Sequence, residues 1–589
     1  MIPTNMRTLF TFAAALGTAH AAGLGDICTD AYIKAALPAD GTFEGISMIP
    51  SSVATTSHTN VSISSSNFFP AATISYCGVT FNYTHVGRDD RVALTYWLPA
   101  PADFQNRFLT TGGEAYEINE GSGTSGSLPG GVMYGAVSGL TDGGFNGQSF
   151  DDVFLLANGT VDWQNTFMFG YQGIHEMMAI GRELTRNVYN TGDDKVYTYY
   201  QSCSEGGREG WSQAQRYGFD YDGIIVGAPA FRFAHQQINH LVPNVVEQTM
   251  NYYPPPCELE LIVNATIAAC DSLDGRADGV IARSDLCKLH FDYTSLIGAP
   301  YYCAASSGGG GLGLGFSKRQ SMGTTPAQNG TVTAEAVQLV ETLLAGLKDS
   351  QGRQAYLYFQ PGADFDDAET TYDSTTDSWG LSIDGNGGEF VAKFLNLQEA
   401  SSITSLDNVT YDTIRDWMQM GWTMYEDTLM THNPDLSVLQ QSGGKVLHFH
   451  GEQDPSVPTA SSVHYYEAVR KIMFPNKSLH AGAAALGEFY RLYLVPGMAH
   501  CGTNSEQPNG PFPQTNLAVM IDWVENGVVP VTLNATVLQG DNEGEHQEIC
   551  AWPLRPLWSN NGTTMECVFD QASYDTWIYD FDAYKLPLY

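Results

Sequence analysis

The chain has 589 residues, 43% of them hydrophobic, which suits a large core in one big domain with an insertion, or two or three domains, and rules out disorder. Its formal net charge of −37 would repel nucleic-acid phosphates and anionic membrane surfaces, so neither is expected as a partner. Acidity names no substrate, because it is also what keeps a secreted enzyme soluble.

The N-terminus carries Arg7, an apolar run over 9–16, and then Ala19-His20-Ala21. A basic residue, a short apolar segment and an A-x-A site predict a signal peptide over 1–21, removed after about Ala21 and too short to span a bilayer. Two further features fit secretion. Ten cysteines, an even number, suit disulfides formed in an oxidising compartment. N-x-S/T sequons occur at Asn60, Asn82, Asn158, Asn264, Asn329, Asn408, Asn476, Asn534 and Asn561, and read as surface glycosylation sites.

From Cys28 to Cys77 the sequence is small, polar and Ser/Thr-rich, and reads as an arm that this cysteine pair would close. Residues 92–98 and 107–110 read as early strands, the second running into Gly112-Gly113 and a glycine- and serine-rich loop as far as Gly131. Residues 167–189 have a helical pattern, with Ile174, Met177, Met178, Ile180 and Leu184 as apolar neighbours. Residues 195–200 are β-branched and aromatic, as in a buried strand. They lead into Ser202-Cys203-Ser204-Glu205-Gly206-Gly207, and 208–216 reads as a helix. With a further strand at 223–227, this order makes an α/β unit.

Over 232–444 that rhythm stops. This part holds Cys257, Cys270, Cys287, Cys303 and a glycine run at 308–311. Strand patterns return at 445–450 and 490–495, and 517–524 reads as a closing helix. The expected organisation is an α/β catalytic domain of 22–231 and 445–589, interrupted by an inserted domain of 232–444.

A serine on a tight strand-to-helix turn, followed by glycines, is the setting of a nucleophile elbow. The usual spelling is G-x-S-x-G, and Ser202 stands in place of the first glycine. The plainer reading of Ser204 is a helix N-cap. A nucleophilic serine needs a base and a group to orient that base. Asp454 follows the 445–450 strand in a loop stiffened by Pro455 and Pro458, and His500 follows the 490–495 strand. Asp454 also suits a simple Asp-Pro turn, Glu452 is a rival acid on the same loop, and a lone histidine is often structural. The order Ser204, Asp454, His500, each on a loop after a strand, favours a triad. The Glu205 N–H and one from Gly112 or Gly113 are the expected oxyanion donors. Cys203 precedes the candidate nucleophile and Cys501 follows the candidate base, so a bridge between them would draw Ser204 and His500 together, unless each pairs elsewhere. Counting leaves the pairing of Cys257, Cys303, Cys550 and Cys567 open.

Asp271, Asp274 and Asp278 lie close together, with Gly275 and Gly279 supplying tight turns. Hard oxygen ligands at this density suit Ca²⁺, although the spacing is not that of an EF-hand and a solvated acidic turn is the alternative. Lys318-Arg319, after the glycine run, reads as a processing site or as an ordinary basic pair.

The Cys203-Ser204, Asp454, His500-Cys501 constellation resembles that of the tannase and feruloyl esterase family. The likeness covers nearly the whole mature chain, including Tyr252-Tyr253-Pro254-Pro255-Pro256-Cys257, Cys270-Asp271-Ser272-Leu273-Asp274-Gly275, Trp523-Val524-Glu525-Asn526-Gly527 and the Pro587-Leu588-Tyr589 terminus. The resemblance implies an α/β-hydrolase fold with a large inserted lid domain, and a serine esterase acting on esters of phenolic acids. Ser204 would be the nucleophile, His500 the general acid/base and Asp454 the orienting acid, with a Cys203–Cys501 disulfide. The resemblance further implies galloyl esters and depsides as substrates, with hydroxycinnamoyl esters as the alternative. The resemblance further implies a structural calcium in the lid, held by Asp271, Asp274 and Asp278 with the carbonyls of Arg276 and Val280, and bracketed by a Cys270–Cys287 pair. It also implies cleavage at Lys318-Arg319 into two chains that the Cys203–Cys501 bridge would hold together. There are two departures: Ser202, and Glu114-Ala115 after Gly112-Gly113, where relatives continue with glycine. A reading from another class is a catalytically dead polyphenol- or glycan-binding protein on the same fold, using aromatic-rich segments such as Trp417, Met418 and Trp422.

Overall fold

A computed structural model describes residues 23–119, 128–307 and 324–585. The signal-peptide reading, the glycine run at 308–311 and the Lys318-Arg319 pair lie outside the described residues, as does 120–127 of the loop after Gly113.

The chain is built on a nine-stranded sheet. In chain order its strands are β1 (Ile46–Ile63), β2 (Ala72–His85), β3 (Val92–Pro99), β4 (Arg107–Thr111), β5 (Ala136–Thr141), β6 (Tyr197–Cys203), β7 (Gly223–Gly227), β8 (Lys445–Gly451) and β9 (Tyr490–Val495). Their spatial order is β1-β2-β3-β5-β4-β6-β7-β8-β9. The first four in that order are antiparallel, and every pairing from β5–β4 onward is parallel. Helices cover both faces of the parallel half, so β7 is buried throughout and β6 nearly so, which is why both read as strands in the sequence.

The arm expected between Cys28 and Cys77 instead holds the helix Asp30–Ala36, the whole of β1 and the start of β2, the edge of the main sheet. β1 is half-exposed, its serines and threonines being exposed or half-exposed, and polarity there masks a β-branched alternation. The Cys28–Cys77 bridge ties the N-terminal helix Asp30–Ala36 region to β2. β5 was also absent from the sequence reading.

Helices flanking the sheet include α1 (Gly173–Tyr189), α2 (Glu205–Arg216), α3 (Thr459–Met473) and α4 (Asn516–Asn526). α1 continues from a helical turn at Trp163–Phe167 through a π-helical turn at Met168–Gln172, so the helix expected from 167 starts earlier and carries an irregular turn. The inserted part leaves after β7 and returns at β8, two strands that pair directly. It carries helices at Phe233–Asn239, Val242–Met250, Pro256–Cys270, Ala334–Leu344 and Tyr411–Tyr425, together with long irregular stretches and short hairpin strands. The C-terminal stretch packs back on it. Arg283 Nη2 donates to Ser573 Oγ at 2.7 Å, Arg276 pairs with Glu545, and the Arg232 guanidinium lies over the Phe581 ring.

All ten cysteines are paired: Cys28–Cys77, Cys203–Cys501, Cys257–Cys303, Cys270–Cys287 and Cys550–Cys567. Eight of the nine sequon asparagines are exposed, and Asn82, within β2, is half-buried. Among the described residues no helix is long and apolar enough to cross a membrane.

Candidate active site

β6 ends at Cys203 and α2 begins at Glu205, leaving Ser204 on the corner with φ 63° and ψ −124°. A non-glycine residue held there is strained, and the strain presents its hydroxyl away from the sheet. The Ser204 N–H donates to Gly227 O at 3.0 Å, anchoring the corner to β7. Close approach of α2 to the sheet depends on Gly206, where a Cβ would fall 2.0 Å from Ser202 Oγ and 2.6 Å from Gly113 O. Ser202 is accommodated in the first glycine position because its side chain occupies the space that Gly206 leaves. Beneath the corner, the buried Glu205 carboxylate accepts from Arg208 Nε at 2.7 Å. Arg208 also donates to Gly170 O and Phe169 O, so the first turn of α2 is braced against the π-helical turn.

The three residues expected to act together do meet. His500 Nε2 lies 2.8 Å from Ser204 Oγ, and His500 Nδ1 lies 2.8 Å from Asp454 Oδ2. Asp454 is fully buried, and its Oδ1 accepts the Ser456 and Val457 N–H groups at 2.8 Å each. Burial works to raise its pKa, but His500 and the surrounding donors outweigh this and hold the carboxyl well below the usual carboxylate range. Asp454 is therefore anionic, as an acid that orients an imidazole must be. Glu452 turns the other way, accepting from Ser284 Oγ at 2.6 Å and pairing with Arg555.

Behind Asp454 runs a buried chain that sequence reasoning missed. His450 Nε2 contacts Asp454 Oδ2 at 3.1 Å, and His450 Nδ1 contacts Ser462 Oγ at 2.6 Å. Ser462 Oγ meets His448 Nε2 at 2.8 Å, and His448 Nδ1 meets the Tyr490 hydroxyl at 2.9 Å. The signal was present: His448 and His450 alternate on β8 and so share one face of the sheet.

Of the two glycines expected as alternative oxyanion donors, Gly113 has its N–H engaged by another side chain. The Gly113 N–H donates to Glu209 Oε2 at 2.8 Å, and a Cβ on Gly112 would meet the side chains of Tyr200 and Glu209. Neither lines the cleft; Ala115, two residues on, does, together with Ser204 and Glu205. The Glu205 N–H keeps its expected place as the first amide of α2. Which loop residue reaches the cleft depends on Glu209, a partner on another element, and so was not legible locally.

The cleft above Ser204 is narrow, with a volume of about 40 Å³. Tyr116, Ala230, Phe233 and Val457 give it apolar walls, and Gln236, Gln237, His240 and Asn386 from the inserted part give it a polar one.

Away from this cleft, the acidic loop of the inserted part is closed by Cys270–Cys287. Asp271 Oδ1 accepts the N–H groups of Asp278, Gly279 and Val280, and Asp274 Oδ1 accepts that of Arg276 at 2.9 Å. Asp278 Oδ2 lies 2.8 Å from Arg276 Nε. Burial, with the neighbouring carboxylates adding to it, pushes Asp274 up to about 7 and Asp278 up to about 6. A crowded, anionic, oxygen-rich loop of this kind fits a hard cation.

A serine, histidine and aspartate in hydrogen-bonded sequence at the C-terminal ends of parallel strands define a serine hydrolase of the α/β-hydrolase type. Residues 77–573 match the model of the family described as tannase and feruloyl esterase. A tannase of Aspergillus oryzae is 51% identical over 98% of this chain and 98% of its own. The solved structure of a tannin acyl hydrolase from Aspergillus niger superposes with a TM-score of 0.92 at 57% identity, covering 96% of this chain and 99% of that one. The crystal structure of feruloyl esterase B from Aspergillus oryzae shares the fold, with a TM-score of 0.64 at 23% identity, 91% of this chain and 100% of that one being covered. The chain belongs to the tannase and feruloyl esterase family, whose members are carboxylic ester hydrolases.

Proposed function

We propose that this chain is a secreted tannase that cleaves galloyl ester and depside bonds of hydrolysable tannins and releases gallic acid. The observation that carries the esterase mechanism is the Ser204–His500–Asp454 contact chain opening onto one cleft. Gallate is favoured over ferulate because the relatives called tannase and tannin acyl hydrolase exceed 50% identity over nearly the whole chain, whereas the solved feruloyl esterase B is at 23%.

Ser204 Oγ attacks the ester carbonyl carbon while its proton passes to His500 Nε2. Asp454 stabilises the imidazolium through Nδ1. The Glu205 N–H faces the developing oxyanion, a donor typically contributing about 10²–10³ in rate. As the tetrahedral intermediate collapses, His500 protonates the leaving alcohol and the acyl group stays on Ser204. Water, deprotonated by His500, then attacks the acyl-enzyme, and the proton returns to Ser204 as the acid leaves.

In the same reading, residues 1–21 direct secretion and the exposed sequons carry glycans. The acidic loop holds a structural Ca²⁺ through Asp271, Asp274 and Asp278 with the carbonyls of Arg276 and Val280; the bound ion would relieve carboxylate repulsion and take no part in the chemistry. Cleavage at Lys318-Arg319 would give two chains.

The test is initial rates on methyl gallate and methyl ferulate, with Ser204→Ala as control. Gallate turnover well above ferulate, falling by at least about 10⁴ in the variant, is expected. The reverse preference would move the enzyme to the feruloyl esterases, and no turnover of either would revive the binding-protein reading.

A further inference from the structure

Asp454 is held by more than the base it orients. Its Oδ1 accepts two backbone N–H groups. Its Oδ2, 2.8 Å from His500 Nδ1, is also 3.1 Å from His450 Nε2, so two imidazoles share one carboxylate oxygen. His450 and Asp454 are both fully buried, and neither turns to water for a partner.

The contacts fix which nitrogen of His450 carries hydrogen. Asp454 Oδ2 and Val457 O, the latter 3.0 Å from Nε2, only accept, so Nε2 bears the N–H. Nδ1, 2.6 Å from Ser462 Oγ, is then either a lone pair or a second N–H on a charged ring, and the chain behind it runs in opposite directions in the two cases. Tyr490, at the far end, decides between them. Its buried hydroxyl has His448 Nδ1, at 2.9 Å, as its hydrogen-bond partner among the described residues. Burial pushes the Tyr490 hydroxyl well above the usual phenol range, with Tyr465, Tyr466 and Glu467 adding to it, and holds the His448 imidazole well below the usual histidine range. Tyr490 therefore keeps its proton and His448 is neutral. An N–H on His448 Nδ1 would strand the Tyr490 proton in the core, an unmade buried hydrogen bond. Tyr490 O–H accordingly donates to His448 Nδ1, His448 Nε2–H to Ser462 Oγ at 2.8 Å, Ser462 O–H to His450 Nδ1, and His450 Nε2–H to Asp454. Every donor points towards the carboxylate.

We infer that His450 is a positioning residue of the reaction: its Nε2–H is a second imidazole donor to Asp454 Oδ2, and Tyr490, His448 and Ser462 lock it in that tautomer. The inference rests on the triad reading of the site and applies to any ester the triad cleaves. Hydrogen bonds aligned head to tail in a dry interior strengthen one another. The added donor spreads the carboxylate charge over two rings and keeps Oδ2 from turning away from His500. Without it, the carboxylate would hold the His500 imidazolium more tightly, so the base would stay protonated to higher pH. The other ionisable groups near the triad are His240 on the inserted part and Glu114 after β4. Neither hydrogen-bonds to His450, so both are common to wild type and variants.

The experiment measures kcat, KM and the pH profile of kcat/KM on methyl gallate and methyl ferulate for the wild type, His450→Leu, His450→Gln and Ser462→Ala. His450→Leu, which lacks the donor, is expected to lose about 10–100-fold in kcat on either ester with KM nearly unchanged, and to move the acid limb upward by about half a pH unit or more. His450→Gln restores an N–H donor and should recover most of the rate and return the limb. Ser462→Ala removes one hydroxyl, leaves the ring in place and should move the limb the same way by less, which provides the comparison if His450→Leu does not fold. An acid limb at its wild-type position in the folded variants, whatever their rate, would overturn the inference and leave the tannase reading intact. Turnover retained by Ser204→Ala would overturn the triad reading itself, and a wild type that prefers ferulate would overturn the tannase reading while leaving the role of His450 in place.

Discussion

An alanine at position 206 would place its methyl against Ser202 Oγ, which can rotate, and against the Gly113 carbonyl, which cannot. Gly206→Ala is therefore expected to destabilise the protein by about 1–3 kcal/mol, as overpacking does, and to lower kcat/KM more than about 10-fold by displacing the corner that carries Ser204. Thermal unfolding and methyl gallate kinetics measure the two effects, and near-wild-type values in both would mean that the loop yields. At this scale the triad was legible in the sequence because its members fall in order on loops after recognisable strands. The histidine chain behind Asp454 and the polar wall above Ser204 were not. The wall arises from packing between segments distant in sequence, such as His240 on Asp367, whereas the histidine chain needs β8 and α3 to be docked so that His450 meets Ser462. The engagement of the Gly113 amide has the same origin, since Glu209, on another element, takes a donor that a local reading leaves free.

Among the elements, β4, β6, β7, β8 and β9 were readable because burial in the parallel half of the sheet makes them apolar, aromatic or β-branched runs. β1 was not, because a half-exposed edge strand rich in serine and threonine looks like a linker. The Cys203–Cys501 bridge joins the end of β6 to the loop after β9, with Cα atoms 6.0 Å apart, and its cysteines flank Ser204 and His500. Replacing both by serine releases a very long loop in the unfolded chain, so a stability loss of about 2–5 kcal/mol is expected in urea denaturation. It also frees two catalytic loops from each other, so kcat on methyl gallate should fall more than about 10-fold. Loss of stability with an unchanged kcat would show that packing alone sets the triad geometry.

For the molecule as a whole, the acidic loop links stability to pH. Asp274 and Asp278 keep their protons up to about 7 and about 6 in the folded, cation-free chain, but lose them near the ordinary carboxylate value when unfolded. Between about pH 4 and 7 the folded state binds more protons, so its stability falls as pH rises through that window. Ca²⁺ would neutralise the carboxylates and remove the slope. The unfolding temperature of chelator-treated protein is expected to lie below that of calcium-loaded protein by several degrees at pH 7.5, and by much less at pH 5. An equal gap at both pH values, or none, would mean that these aspartates do not hold the ion.

β7 and β8 are neighbours in the sheet although more than two hundred residues of chain run between them. A break anywhere in 308–323 would leave β1 to β7 and Ser204 on one fragment, and β8, β9, Asp454 and His500 on the other. Each fragment would expose a raw strand edge that fits only its counterpart, and each would carry an incomplete reaction centre. The nucleophile thus lies on one side of that stretch and its base and acid on the other, on two segments that meet in a common sheet and are joined by the Cys203–Cys501 bridge.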